Sequence, residues 1–408
     1  MADISPIQLA MPPNHWASPP EWLTFSFAKD AELCPRRTAL KRSDYEGLWE
    51  GPGYPPSFSA PAVVGALVHA ALRYLIRELA ARGSTSIRDA RGFETLRMLG
   101  GYSRVITAEM DKWLLRCDSN PRLAKRKFSI QQRLERLLPE MRLALQKVLM
   151  RTHWSAGITE GRTPRRKGNE MLGLGVHFEV GLLHPGLKWK GFADMVEIGP
   201  SGDVTITDFK TGRPKDADEQ QVLVYALLWA RDSNKNPTGR LASRLLICYP
   251  DHTRTVVSPS AAGLHGIEAK LAESSNSIRQ VFKILPPPAN LSVETCPTCD
   301  VRHLCDEYWT ERSAIIQDND ASKSYGDCEL NLQFRLGLST WESECSFSTS
   351  SLTPNRILVH FSEGSIIEGL RRGDRLRILN TSLRVVDLET PVVTVTPSTE
   401  VFKVELVK

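Results

Sequence analysis

The sequence predicts an α/β protein: a mixed sheet flanked by helices, followed by a small C-terminal β-barrel, OB-like or SH3-like. Three observations predict it. "AVVGALVHAALRYLIRELAARG" (62–83) carries apolar residues at helical spacing. From 175 to 210 the period changes to two. Beyond about 345 no long helical pattern remains, only short strand candidates separated by turns.

The elements follow in order. Residues 1–20 are Pro-rich and predict no regular structure. "GPGYPPSFSAP" (51–61) is a loop, and the helix after it stops at Gly83. Helices are predicted around 103–117 and 129–151. Arg122 to Arg151 holds a run of lysines and arginines, and the basic loop "GRTPRRKGNE" (161–170) follows; the stretch 122–167 could track a phosphate backbone, although a charge run is usually a solvated face. "KWKGFADMVEI" and "DVTITDFK" flank "GPSG" and read as a hairpin turning at Gly199–Gly202. A helix over about 217–231, an apolar strand "RLLICYP" and a helix around 260–283 come next. "ILPPPANLS" breaks the pattern ahead of a cysteine cluster, and the barrel takes 345–408.

Composition sets bounds. The chain has 408 residues and 41% hydrophobic content, enough for two or three domains. A balance of 52 Lys and Arg against 47 Asp and Glu is only mildly basic, so any nucleic-acid affinity must come from clustering. With no long apolar run and no basic-then-apolar start, the reading is a soluble, unexported, cytoplasmic protein with no membrane partner. Eight cysteines in a chain this long are no disulfide framework, and a clustered subset reads as metal ligands.

The hairpin is where chemistry concentrates. Side chains alternate along a strand, so Asp208 and Lys210 share one face with Val204 and Ile206. With the turn at Gly199–Gly202, Asp194 lies roughly opposite residue 207 and so beside Asp208. Two carboxylates that close stay ionised together only with a cation between them. Hard oxygen ligands suit Mg²⁺ or Mn²⁺, and Lys210 would stabilise negative charge on a phosphate presented by that metal. Gln221 and Tyr225 share a helical face nearby. Taken singly, Asp194 reads equally as a surface carboxylate and Tyr225 as a core residue. The order Gly191-x-x-Asp194, Asp208-x-Lys210, Gln221-x3-Tyr225 is what sets them apart.

That order resembles the PD-(D/E)XK nuclease superfamily, in particular its RecB-like branch, which includes CRISPR-adaptation nucleases, the AddB nuclease domain and the eukaryotic replication helicase-nuclease. The resemblance implies a restriction-endonuclease-like sheet over residues 21–315, interrupted by a helical insertion at about 84–170. It implies that Asp194 and Asp208 hold metal, that Lys210 is catalytic, and that Gln221 and Tyr225 position the strand. His69 in "GALVHAALRYL", after Gly65, matches the branch's metal-binding histidine, with Arg73 on the same face. Glu179 falls where related sequences often have a glutamate.

"CPTCDVRHLC" supplies Cys296, Cys299 and Cys305. On spacing alone, His303 completes a structural Zn²⁺ knuckle. The segment "TFSFAKDAELCPRRTALKR" resembles the N-terminal "S-x-L…C-P-R-R" of iron–sulfur members of the branch. That resemblance implies a [4Fe–4S] cluster on Cys34, Cys296, Cys299 and Cys305, clamping the chain ends. Cys117, Cys248, Cys328 and Cys345 have no motif context, and Cys248 reads as core.

The expectation is a Mg²⁺- or Mn²⁺-dependent deoxyribonuclease of exonuclease type, acting on DNA with a single-stranded portion. The branch serves DNA repair or recombination, CRISPR adaptation and phage defence, with a helicase or another defence or repair protein as partner. Two readings compete: a nucleic-acid-binding module with a vestigial site, which the intact Asp194, Asp208 and Lys210 disfavour, and a zinc-stabilised scaffold docking through the barrel.

Overall fold

A computed structural model describes residues 8–154, 171–311, 325–349, 355–362, 369–386, 390–396 and 399–404. The chain opens with strand β1 (Gln8–Ala10) and helices α1 (Phe25–Leu33) and α2 (Pro35–Arg42). Then come α3 (Ala60–Ala81), α4 (Ala90–Met98), α5 (Gly101–Cys117) and α6 (Lys127–Arg151). Strands β2 (Gly175–His184), β3 (Trp189–Ile198) and β4 (Val204–Phe209) lead into α7 (Asp216–Arg231). Strands β5 (Arg244–Cys248) and β6 (Thr253–Val256) and helix α8 (Ala261–Val281) complete this part.

The five strands align in the order β2-β3-β4-β5-β6, antiparallel except for the parallel pair β4–β5. The expected hairpin is there: Gly202 N–H donates to Gly199 O (2.9 Å), and Gly202 takes the positive φ of 82° that a side chain would resist. All six residues of β4 are buried, as a strand covered on both faces must be. One face packs on α1, α7 and α8 through Phe27, Val222, Leu227, Leu264 and Ile278. The other packs on α3, α5 and α6 through Leu72, Ile106 and Leu145. This mixed, helix-flanked sheet is consistent with the expected restriction-endonuclease-like fold. The insertion expected over 84–170 holds α4, α5 and α6, while the basic loop 161–170 lies outside the described residues.

The basic run includes one residue that does something else. Arg122 is fully buried and donates to Glu400 Oε1 (2.8 Å) and Oε2 (2.9 Å) and to the carbonyls of Pro55 and Asp300. Such a guanidinium is a structural tie and cannot track a phosphate backbone. Lys127 and Lys147, by contrast, sit at the surface beside Asp118 and Asp251.

The short helix α9 (Asp306–Thr310) leads towards a second sheet of seven strands. Its strands are β1, β7 (Tyr325–Arg335), β8 (Thr340–Ser348), β9 (Arg356–Phe361), β10 (Arg375–Val386), β11 (Thr390–Val395) and β12 (Glu400–Val404). The boundary expected at 345 falls inside β8, so the sheet begins earlier than the sequence pattern suggests. The Pro-rich start is also not wholly irregular, since β1 pairs in parallel with β12. β10 pairs with β7 as well as with β11 and β12, joining strands from opposite sides of the sheet. This sheet meets the cysteine segment through buried arginines: Arg302 pairs with Asp327, while Arg377 pairs with Glu329 and donates to His303 O (2.6 Å). Among the described residues, no helix is long and apolar enough to cross a membrane.

Candidate active site

Antiparallel register sets the site. Met195 pairs with Thr207 and Val196 with Ile206, which brings Asp194 level with Asp208 at the end of the hairpin. Asp194 Oδ2 accepts a hydrogen bond from Phe209 N–H (2.8 Å) and lies 3.2 Å from His69 Nε2. His69 reaches it from α3, and the same nitrogen sits 3.1 Å from Phe209 O. Burial pushes the imidazole's pKa down, but the hydrogen bond and charge of Asp194 outweigh it and hold His69 above its ordinary value.

Asp208 is 3% exposed and is pushed up to about 6, by burial first and by the charge of Asp194 second. Lys210 opposes this, with Nζ 2.8 Å from Asp208 Oδ2. The Lys210 ammonium is thus the charged partner of this buried oxygen. A buried carboxylate beside a second carboxylate suits a hard divalent cation.

The raised value has a consequence for stability. A carboxyl that titrates near 6 in the fold, against its ordinary 3.8, is favoured in its protonated form. Its stabilising contribution is therefore present below about pH 4 and lost as pH rises through about 6. Asp208→Asn removes that cost, so urea unfolding without metal at about pH 7 should show a gain of about 3 kcal/mol, the lost ion pair to Lys210 being already contained in the net shift. The gain should vanish near pH 4. A variant no more stable than the parent at pH 7 would show that Asp208 carries no such strain.

Lys210 Nζ also donates to Gln221 Oε1 (2.7 Å), and Gln221 Nε2 donates to the Tyr225 hydroxyl (2.6 Å). Burial, then the charge of Asp208, raises the Tyr225 phenol, so it stays neutral. Gly191 makes this approach possible: a Cβ there would lie 2.8 Å from Tyr225 Cε1 and 3.0 Å from Leu228 Cδ1, too close for either. The sequence-predicted Asp194, Asp208, Lys210, Gln221, Tyr225 and His69 thus form one connected cluster. Glu179 stands apart. It lies level with Asp194 on β2, at a φ of 50°, and is paired with Arg73 (3.3 Å) and Arg77 of α3. Sequence reading missed Asp218 on α7, whose Oδ1 is 3.6 Å from Lys210 Nζ. The three acids in the first turn of α7 (Asp216, Asp218, Glu219) mask it as ordinary helix-start chemistry.

The four cysteines singled out by sequence line one pocket, with Arg36, Arg37 and Tyr308. α2 is stapled to the late cysteine segment by Arg36, which donates to both oxygens of Glu307 (2.7 and 2.8 Å) and to Pro287 O (2.6 Å). That staple brings Cys34 beside Cys296, Cys299 and Cys305. The Cys34 sulfur accepts from Arg37 N–H (3.4 Å) and caps α2, and the Cys305 thiol donates to Glu307 Oε2 (3.5 Å). Among the described residues, no three histidine, cysteine, aspartate or glutamate side chains converge as a ready-made metal cage. His303 does not line the pocket: it is fully buried and stacked on Phe402 with ring centres 3.7 Å apart. Cys248 is buried in the core, as the apolar strand predicts.

No curated protein matches the chain. A family profile does: that of the PD-(D/E)XK nuclease superfamily, over residues 23–306. The match closes one residue past Cys305, so it takes in the hairpin, α7 and the cysteine segment and leaves out the C-terminal sheet. With well over half of its length matched in this way, the chain belongs to the PD-(D/E)XK nuclease superfamily.

Proposed function

We propose that the protein is a metal-dependent deoxyribonuclease of the RecB-like branch and of exonuclease type, acting on DNA with a single-stranded portion. One observation carries the reading: the buried Asp208 carboxylate beside Asp194, with the Lys210 ammonium 2.8 Å from it. Asp194, Asp208 and His69 would hold Mg²⁺ or Mn²⁺, whose chemistry is to acidify a bound water and neutralise a phosphate. Lys210 contributes a fixed positive charge at the edge of that site, where negative charge develops on a phosphate. Gln221 steers the ammonium, and Tyr225 orients Gln221. The burial that raises Asp208 also keeps water away from the carboxylates, which strengthens each of these interactions.

The [4Fe–4S] reading on Cys34, Cys296, Cys299 and Cys305 is supported by their lining of one pocket, which the His303 of the Zn²⁺ alternative does not line. Its role is structural, joining α2 to the segment ahead of the C-terminal sheet. For that sheet an OB-like or SH3-like barrel is the reading, supported by the pairing of β10 with the edge strand β7 in addition to its neighbours β11 and β12. DNA repair or recombination, CRISPR adaptation and phage defence, with a helicase or similar partner, are the settings the branch suggests.

End-labelled and circular DNAs incubated with Mg²⁺ or Mn²⁺ test the activity. Cleavage should require the metal and a free end. Lys210→Ala should slow the chemical step by about 10²–10⁴-fold with DNA binding nearly unchanged. DNA left intact by the parent, or cut as fast by Lys210→Ala, would end this reading.

A further inference from the structure

We infer that Asp218 is a positioning residue: it fixes the Lys210 ammonium at the edge of the site, and Tyr249 in turn fixes Asp218. The inference rests on the nuclease reading of Lys210 and goes beyond it. A lysine amine rides on a flexible four-carbon stem, and holding it in one place costs rotamer entropy that specific contacts must offset. The ammonium has three N–H donors. Three oxygens face it here: Gln221 Oε1 at 2.7 Å, Asp208 Oδ2 at 2.8 Å and Asp218 Oδ1 at 3.6 Å.

These three are not equivalent. Gln221 is neutral, and Asp208 is the carboxylate offered to a cation. Asp218 is then the anion left to hold the ammonium once Asp208 is engaged elsewhere.

Asp218 is built for that. It is 8% exposed. Its Oδ2 accepts from Lys215 N–H (2.9 Å) and from the Tyr249 hydroxyl (2.9 Å), which leaves Oδ1 turned towards Lys210. Tyr249 is itself 1% exposed and follows directly on β5, where its N–H donates to His252 O (2.9 Å). The plainer account makes Asp218 an acid at the start of α7, favoured by the helix dipole. That explains the bond from Lys215 but neither the buried Tyr249 hydroxyl nor the side of the carboxylate facing Lys210. A carboxylate taken out of water with each oxygen given a separate partner is a positioned group.

Two measurements test it on the full chain. The first is a double-mutant cycle on single-turnover cleavage with Mn²⁺. Asp218→Asn should slow cleavage about tenfold with DNA affinity within about twofold, and should add nothing in a Lys210→Ala background. The same tenfold loss persisting without Lys210 would make Asp218 merely structural and overturn the inference. The second needs neither metal nor DNA: the rate at which acetic anhydride labels Lys210, read by mass spectrometry. Asp218→Asn should raise that rate about threefold as the amine is released. Tyr249→Phe, which removes only a hydroxyl, should move both readouts the same way by a smaller factor. Unchanged labelling in both folded variants would also overturn the inference. A parent that leaves DNA uncut would sink the nuclease reading, while the labelling would still decide the case of Asp218.

Discussion

Asp208→Asn should abolish cleavage while leaving the fold intact and DNA bound. The substitution keeps the shape of the side chain and removes the charge that a divalent cation requires. Loss of one carboxylate from such a site forfeits several kcal/mol of charge stabilisation, which corresponds to about 10³-fold or more in the chemical step. Binding should stay within about twofold, because phosphate contacts from lysine and arginine carry most of the affinity. The usual ambiguity of an inactive variant is whether it is misfolded. Here the two effects have opposite signs, since the strain that raises Asp208 to about 6 is relieved by the neutral amide. An inactive protein that unfolds at higher urea than its parent would separate chemistry from stability. Activity within tenfold of the parent would remove Asp208 from the site.

Much of this was legible in the sequence because it depends on short-range regularity. A period of two and a glycine turn are enough to set the register of β3 and β4, and the register alone brings Asp194 level with Asp208. Helical spacing likewise puts Gln221 and Tyr225 on one face of α7, where they meet Lys210. What stayed hidden depends on contacts between distant segments. Nothing local in Asp218 distinguishes it from Asp216 or Glu219; its partner Tyr249 comes from another strand. Arg122 looks like one more cation in a basic run, and only the return of β12 gives it Glu400. β1 escaped notice because a three-residue strand beside prolines has no periodicity to detect. The early start of the C-terminal sheet was missed for a related reason: β7 and β8 carry polar residues such as Asp327, Glu329 and Ser343 that are buried in the fold and blur the apolar alternation.

The cysteine segment offers the sharpest contrast between two ligand sets, because His303 and Cys34 respond in opposite ways. Under the cluster reading, Cys34→Ser should lose iron and lower the melting temperature by about 10 °C. Ligation between residue 34 and residues 296–305 closes a loop of about 260 residues, worth about 5 kcal/mol in chain entropy. Serine is the informative choice because its oxygen can still cap α2 at Arg37 N–H, whereas alanine would add a capping loss of about 1 kcal/mol. His303→Phe should do neither. Both imidazole nitrogens are buried without a hydrogen-bond partner. Burial, followed by the charges of Arg122, Arg302 and Arg377, holds the imidazole's pKa well below its ordinary value, so the ring is neutral. Its work is to stack on Phe402 at 15° between planes and to pack near Tyr54, which a phenyl ring does as well. Phenylalanine also removes two unsatisfied polar atoms from the join between the cysteine segment and the C-terminal sheet, so the melting temperature should hold or rise. A zinc knuckle of three cysteines and His303 requires the reverse: metal kept in Cys34→Ser and lost in His303→Phe. Metal analysis of the two variants beside Cys299→Ser decides between them, and full metal content in Cys34→Ser would end the case for a cluster that ties the chain ends together.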